Sequence, residues 1–175
     1  MGRWHHLLWN AIHKQTYSST LYKFNINQTD VSWEKVGYKT SHSNIDALQF
    51  IDGYLYAIDN HDDEFLTINL DGTVKKETNL SGLTRGWKME GMAYYDDLLY
   101  ASETKGNKSS KLFSMTLNGD EMKYIGDIGF AQVEAMTFVN GSLYTNFGWP
   151  NNVLSKSYQL SKTSNLFHKR MMTIW

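Results

Sequence analysis

Apolar and polar residues alternate along short stretches of this chain, and three of these stretches repeat one another. They begin at Ile45, Met89 and Val133 and read IDALQFIDGYLYAID, MEGMAYYDDLLYASE and VEAMTFVNGSLYTNF. Their starts are 44 residues apart in both steps. Each copy has an acid at its second position, an alternating apolar run, a pair of turn residues and a Leu-Tyr pair. Alternation with a period of two predicts β-strands, so the repeating unit is built from strands.

Turn residues divide each unit into short strands. In the second unit the pattern predicts four strands, over residues 45–51, 54–58, 65–70 and 74–80. Asp52-Gly53 and Asp71-Gly72 separate the strands within two hairpins. Such pairs are favoured because both central residues of the turn take a positive φ. A strand-only period of this length, with one four-stranded sheet per unit, predicts an all-β chain folded as a β-propeller.

The 175 residues hold about four such units, which we expect to form a single domain. Their approximate limits are 1–44, 45–88, 89–132 and 133–175. The first unit begins inside its first strand, which leaves an edge that must be paired or covered. Three arrangements stay open: a closed propeller of four blades, part of a larger ring, or a ring completed by another chain. The last arrangement predicts a homo-oligomer.

Composition excludes several classes of function. The net charge is −1 and no basic block occurs, which argues against nucleic-acid binding. The sequence has no apolar run of 18 residues, so no membrane span is predicted. The N-terminus lacks the long apolar region of a signal peptide. Cysteine is absent, which removes disulfides and thiol chemistry but leaves the compartment open.

The predicted loops place a binding site on one side of the propeller. The turns within the hairpins are tight, whereas longer segments follow the second and fourth strands of a unit. Function concentrates in loops held on a rigid scaffold. Arg85, Trp87 and Trp149 fall in these segments, and an exposed Trp there would bind a sugar ring or a side chain of a protein partner. The alternative is that each Trp covers the core.

A second candidate site comes from the acid at the start of each repeat. Asp46, Glu90 and Glu134 hold this position. The first strand of a blade lies innermost, so we expect the three carboxylates to converge at the mouth of the central channel. Converging carboxylates repel one another unless a cation neutralises them, and calcium takes oxygen ligands of this kind. The alternative is that each acid bonds backbone amides of the next blade. The acidic segment Asp59–Glu64 is read as a solvated loop that would extend a cation site.

The repeats resemble those of bacterial surface and secreted β-propeller proteins. The phrase Met89-Glu90-Gly91-Met92-Ala93-Tyr94 is similar to their Glu-Gly-Leu-Ala-Phe motif, and Leu143-Tyr144 is similar to their Leu-Tyr pair. The first strand also resembles that of propellers with a metal in the channel, such as esterase-like phytase relatives and calcium-dependent lactonases. The resemblance implies the fold, with calcium as the cofactor and an extracellular or cell-surface location. The catalytic residues of those enzymes are not recognisable in this sequence.

Three functions remain open on this reading. The first is a non-catalytic module that binds a protein or carbohydrate ligand on the loop side. The second is a calcium-dependent hydrolase with its site at the channel mouth, and the third is a structural or assembly protein. Exposed Trp87 and Trp149 would favour the first function, and a cation among the three acids would favour the second. The first is our leading hypothesis, because no nucleophile or base is recognisable in the sequence.

Overall fold

The computed structural model describes residues 6–10, 20–24, 33–36, 45–80, 88–104, 110–128, 133–147 and 156–159. They form fourteen strands: β1 His6–Asn10, β2 Thr20–Phe24, β3 Trp33–Val36, β4 Ile45–Ile51, β5 Tyr54–Asp59, β6 Glu64–Asn69, β7 Val74–Asn79, β8 Lys88–Tyr95, β9 Leu98–Thr104, β10 Lys111–Met115, β11 Lys123–Asp127, β12 Val133–Val139, β13 Ser142–Phe147 and β14 Lys156–Gln159. These residues contain no helix. Accordingly, no membrane-spanning helix is found among them.

The strands form four antiparallel sheets, and in each sheet neighbours in the chain are neighbours in the sheet. The sheets contain β1–β3, β4–β7, β8–β11 and β12–β14, and we call them the first to fourth blades. Four strands per unit, as predicted, are present in the second and third blades. Within the described residues the first and fourth blades have three strands each. The 44-residue unit of the sequence is therefore one sheet.

The hairpin turns have the backbone geometry that their residues predict. Asp52 and Gly53 have φ angles of 47° and 87°, and Asn140 and Gly141 have 50° and 76°. The third blade uses Asp96 and Asp97, at 52° and 63°, although neither is glycine. Positive φ at both central residues matches the twist of the flanking strands. The turn between the first two strands is thus the same in three blades.

Contacts divide the chain into two compact units, Met1–Glu77 and Thr78–Trp175. The core of the first unit joins the first two blades and contains Leu21, Ile45, Leu55, Ala57, Leu66 and Ile68. The core of the second unit joins the third and fourth blades and contains Ala93, Tyr100, Leu112, Ile128, Val133, Met136 and Leu143. Apolar residues at the predicted strand positions thus meet between consecutive blades. The prediction of a single domain stays a prediction.

Candidate functional site at the loop-side ends of the blades

A β-bulge interrupts the innermost strand of three blades at the same place. The register of β4 against β5 shifts between Ile45 and Ala47. The equivalent shifts lie between Met89 and Met92 in β8 and between Val133 and Ala135 in β12. Bulges redirect side chains and are frequent beside active sites. We call the end of each blade that contains this bulge its loop-side end; the two-residue turn between the first two strands lies at the opposite end.

The repeated acids lie within these bulges. Asp46 accepts a hydrogen bond from the Nδ2 amide of Asn60, whose side chain is buried in the same blade. Glu90 is half-buried, and Glu134 is exposed. Asp46 belongs to the first compact unit and the two glutamates to the second. Their convergence on one axis, and the alternative of bonds to amides of the next blade, therefore stay predictions.

Within the described residues, no group of three or more His, Cys, Asp or Glu side chains is placed to hold a metal ion. The assignment of Asp46, Glu90 and Glu134 to a calcium site stays a prediction. What the structure adds is their shared position in the bulge.

The loop-side end of the second blade is acidic and tightly folded. Asp59 and Glu64 face each other as the last pair of β5 and β6, so the predicted six-residue loop is a turn over residues 60–63. Asp59 is 0% exposed, and its Oδ1 accepts hydrogen bonds from the amides of His61 and Asp62 at 2.8 and 3.4 Å. His61 Nδ1 lies 2.9 Å from Asp62 Oδ1. The expected solvated loop thus has a buried carboxylate at its base.

The third blade places a different pair at the same position. Glu103 is the penultimate residue of β9, faces Lys111 of β10 and is 3% exposed. Burial raises the pKa of the Glu103 carboxyl from 4.5 to about 7, although the Lys111 charge acts in the opposite direction. Beside it, the buried hydroxyls of Thr104 and Ser110 share a hydrogen bond of 2.8 Å. A carboxyl with a raised pKa in a polar setting can hold or release a proton near neutral pH.

Glu103 is not among the site residues predicted from the sequence. The signal that identifies it is the repeat, because Glu103 lies 44 residues after Asp59, near the end of the equivalent strand. Its burial depends on packing that the strand pattern does not show.

Ser102 precedes Glu103 in β9 and connects the third blade to the fourth. The backbone amide of Gly91 donates to Ser102 Oγ at 2.8 Å, and the Ser102 hydroxyl donates to the Val133 carbonyl at 3.4 Å. A Cβ atom on Gly91 would lie 3.0 Å from Met136 Cγ and 3.0 Å from Ser102 Oγ. The bulge of β8 thus packs closely against β12, which fixes the loop-side end of the third blade.

The predicted ligand-binding residues Arg85, Trp87 and Trp149 lie outside the described residues. Their role in binding a protein or a carbohydrate stays a prediction.

The repeat seen in the structure is also found in a known protein family. The chain matches a family described as a repeat of unknown function, DUF6923, over residues 9–165. The chain belongs to this repeat family. The match spans all four blades, in agreement with the 44-residue unit. The comparison with curated proteins gave no match.

Three solved structures that align with this chain are described below. A chain from the crystal structure of a nidogen/laminin complex aligns with a TM-score of 0.64 and 15% identity, covering 88% of this chain and 56% of that chain. Streptogramin B lyase aligns with a TM-score of 0.49 and 18% identity, covering 83% and 49%. The computationally designed Ika4 protein aligns with a TM-score of 0.46 and 12% identity, covering 86% and 89%.

The nidogen match shows that this chain has the β-propeller fold, with about four blades. At such identity the similarity concerns the fold alone. The chain spans about half the length of the nidogen and lyase chains.

Proposed function

We propose that this chain is a non-catalytic β-propeller module that binds a protein partner through the loop-side ends of its blades. The observation that carries the proposal is a contrast between the two ends of the blades. The hairpin turns keep one geometry, whereas the loop-side pair changes from Asp59 with Glu64 to Glu103 with Lys111. A constant scaffold with variable ends is the arrangement in which loops carry recognition.

The charge of the second blade indicates the chemistry of the partner. Its loop-side end holds Asp46, Asp59, Asp62, Asp63 and Glu64, and the sequence has no Lys or Arg from residue 45 to residue 74. A surface of one sign attracts a partner of the opposite sign and accelerates its association. The partner class that fits is a protein with a lysine- or arginine-rich segment. The nidogen chain, which was solved in a complex with laminin, supports a protein partner by analogy.

We propose further that this module belongs to an extracellular or bacterial surface protein. Its support is the resemblance of the strand phrases at Met89 and Val133 to surface and secreted propeller repeats. A carbohydrate ligand is the alternative on the same side, supported by Trp87 and Trp149 in the sequence.

Binding of lysine-rich and glutamate-rich peptides of equal length, measured by biolayer interferometry, tests the proposal. The wild-type chain should bind the lysine-rich peptide more tightly, with an affinity that falls as salt is added. Asp62→Lys should weaken this binding about tenfold, because it reverses a charge at the acidic end. Glu77→Lys is the matched control on the exposed part of β7 and should leave the affinity unchanged. Equal effects of the two variants would contradict a site at the loop-side end.

A calcium-dependent hydrolase is a second candidate function, and the shared bulge position of Asp46, Glu90 and Glu134 favours it. Calcium bound only by the folded chain would raise the melting temperature by mass action. We expect millimolar calcium, but not magnesium, to raise the melting temperature in differential scanning calorimetry. Glu90→Gln should reduce the shift, and Glu77→Gln should preserve it. A wild-type chain that does not respond to calcium would argue against this function.

A further inference from the structure

The turn at the loop-side end of the second blade holds a histidine beside a carboxylate. His61 Nδ1 lies 2.9 Å from Asp62 Oδ1, and the two side chains are 53% and 37% exposed. The backbone keeps this pair in place, because the amides of both residues donate to Oδ1 of the buried Asp59. The pair thus lies at the surface, on a turn that the hydrogen bonds of Asp59 stabilise.

The other charged groups at this end of the second blade are carboxylates. Asp59 is the last residue of β5, Glu64 is the first residue of β6, and Asp63 lies in the turn between them. The bulge of β4 places Asp46 at the same end. His61 is the only His, Lys or Arg in the sequence from residue 45 to residue 74. It is therefore the residue of this stretch that can gain a positive charge.

Protonation of His61 changes the chemistry of the pair. Histidine is the side chain whose charge ordinarily changes between roughly pH 5 and pH 8. Both ring nitrogens of the protonated ring are donors, so Nδ1 then donates to the Asp62 carboxylate. The protonated ring offsets the negative charge of Asp62 and occupies an acceptor that a cationic side chain of a partner would otherwise use.

We propose that Asp62 binds a lysine or arginine side chain of the protein partner, and that protonated His61 competes with this side chain for the carboxylate. The inference rests on the function proposed above, the binding of a basic segment at the loop-side end. Binding is then regulated by pH: it is strongest while His61 is neutral, and it weakens as the pH falls. Coupling between two binding equilibria is reciprocal, so a bound partner must in turn make His61 harder to protonate.

Biolayer interferometry with the lysine-rich peptide, at about pH 8 and about pH 5.5 and at constant ionic strength, tests the inference. The wild-type chain should bind about fivefold more weakly at the lower pH, because a positive charge is added where the peptide docks. His61→Gln introduces a polar side chain that does not titrate, and it should bind almost equally well at both pH values. His6→Gln is the matched control on β1 of the first blade and should keep the fivefold difference.

Nuclear magnetic resonance of the histidine rings gives a second readout. The signals of the His61 ring are identified by their absence in His61→Gln. Saturating lysine-rich peptide should lower the midpoint of the His61 titration by about 0.7 pH unit, which is a fivefold change on a logarithmic scale. Without peptide, Asp62→Asn should also lower this midpoint, because a nearby negative charge favours the protonated ring. Asp71→Asn is the control, since Asp71 lies exposed in the turn between β6 and β7.

The results separate this inference from the function on which it rests. A wild-type chain that binds no lysine-rich peptide at either pH would overturn both. Equal binding at about pH 8 and about pH 5.5 would overturn the regulation by His61 and leave the function standing. A pH dependence that His61→Gln retains, or a His61 midpoint that the peptide does not move, would have the same consequence. Circular dichroism at both pH values establishes that each variant is folded.

Discussion

The loop-side ends of the second and third blades are equivalent in sequence and in strand register. Each contains a buried carboxyl, but the groups around that carboxyl differ. Asp59 is the last residue of the second strand of its blade, Glu103 is the penultimate residue of the equivalent strand, and they are 0% and 3% exposed. Asp59 receives two backbone amide donors from a four-residue turn. Glu103 faces Lys111, and its burial raises the pKa to about 7.

The comparison shows that equivalent positions of the repeat are both buried, whereas the groups that contact the two carboxyls differ. Both carboxyls are buried, and equivalent strands flank them in both blades. Burial favours the protonated form of the Glu103 carboxyl. Variation at the loop-side end thus changes the chemistry of a blade without changing its fold.

The largest expected effect concerns the bulge, where the second blade has Ala47 and the third has Gly91. Gly91→Val should cost about 3 kcal/mol of unfolding free energy, because even a Cβ atom lies 3.0 Å from Met136 Cγ. Urea denaturation measures the change. Gly53→Ala is the control: no atom lies within 4 Å of the added Cβ, but φ is +87°, so the cost of about 1 kcal/mol is backbone strain alone. An unchanged free energy in Gly91→Val would mean that the third and fourth blades do not pack as closely as described.

The next largest effect concerns the protonation of the Glu103 carboxyl. Because its folded pKa is raised from 4.5 to about 7, the folded chain binds the proton more tightly than the unfolded chain in this window. The stability that the protonated carboxyl provides is fully present below about pH 4.5 and is lost as pH rises through 7. Glu103→Gln should flatten this pH dependence and gain about 2–3 kcal/mol at pH 8.

Lys111→Met gives the converse test of the same carboxyl. The Lys111 charge lowers the pKa of Glu103, so its removal should raise that pKa further and extend the loss of stability to higher pH. Urea denaturation from pH 4 to pH 9 measures both variants. A wild-type chain with no slope between pH 4.5 and 7 would contradict the raised pKa of Glu103.

Much of this architecture can be predicted from the sequence. The first strand of the second unit was predicted over residues 45–51, as observed, and the other three strands differ by one residue at their ends. Alternation and turn residues are local properties, so they are visible in a single sequence. The predicted all-β propeller fold with about four blades is confirmed.

The candidate site was predicted less well, for physical reasons. A bulge adds one residue to a strand without a change in residue type, so the alternation around Asp46 does not show it. The burial of Glu103 arises from packing between strands, and the closeness of Gly91 to Met136 arises from packing between blades. Such contacts join residues that are distant in sequence. Residues 85, 87 and 149 lie outside the described part of the chain, so the predicted ligand site stays a prediction.

The smallest effect on the free energy of unfolding is expected from substitutions of Asp59. These substitutions best distinguish the loop-side end of the second blade from that of the third. Asp59→Ala removes the acceptor for the amides of His61 and Asp62 and should cost about 1 kcal/mol, because water can partly replace these bonds at the turn. Asp59→Asn keeps an acceptor oxygen and should cost less than about 0.5 kcal/mol. Urea denaturation at pH 8 measures both variants beside Glu103→Gln. The two blades should then respond with opposite signs, since loss of charge stabilises the third blade and loss of the acceptor destabilises the second. A stabilising Asp59→Ala would show that desolvation also dominates in the second blade, and the distinction between the two ends would fail.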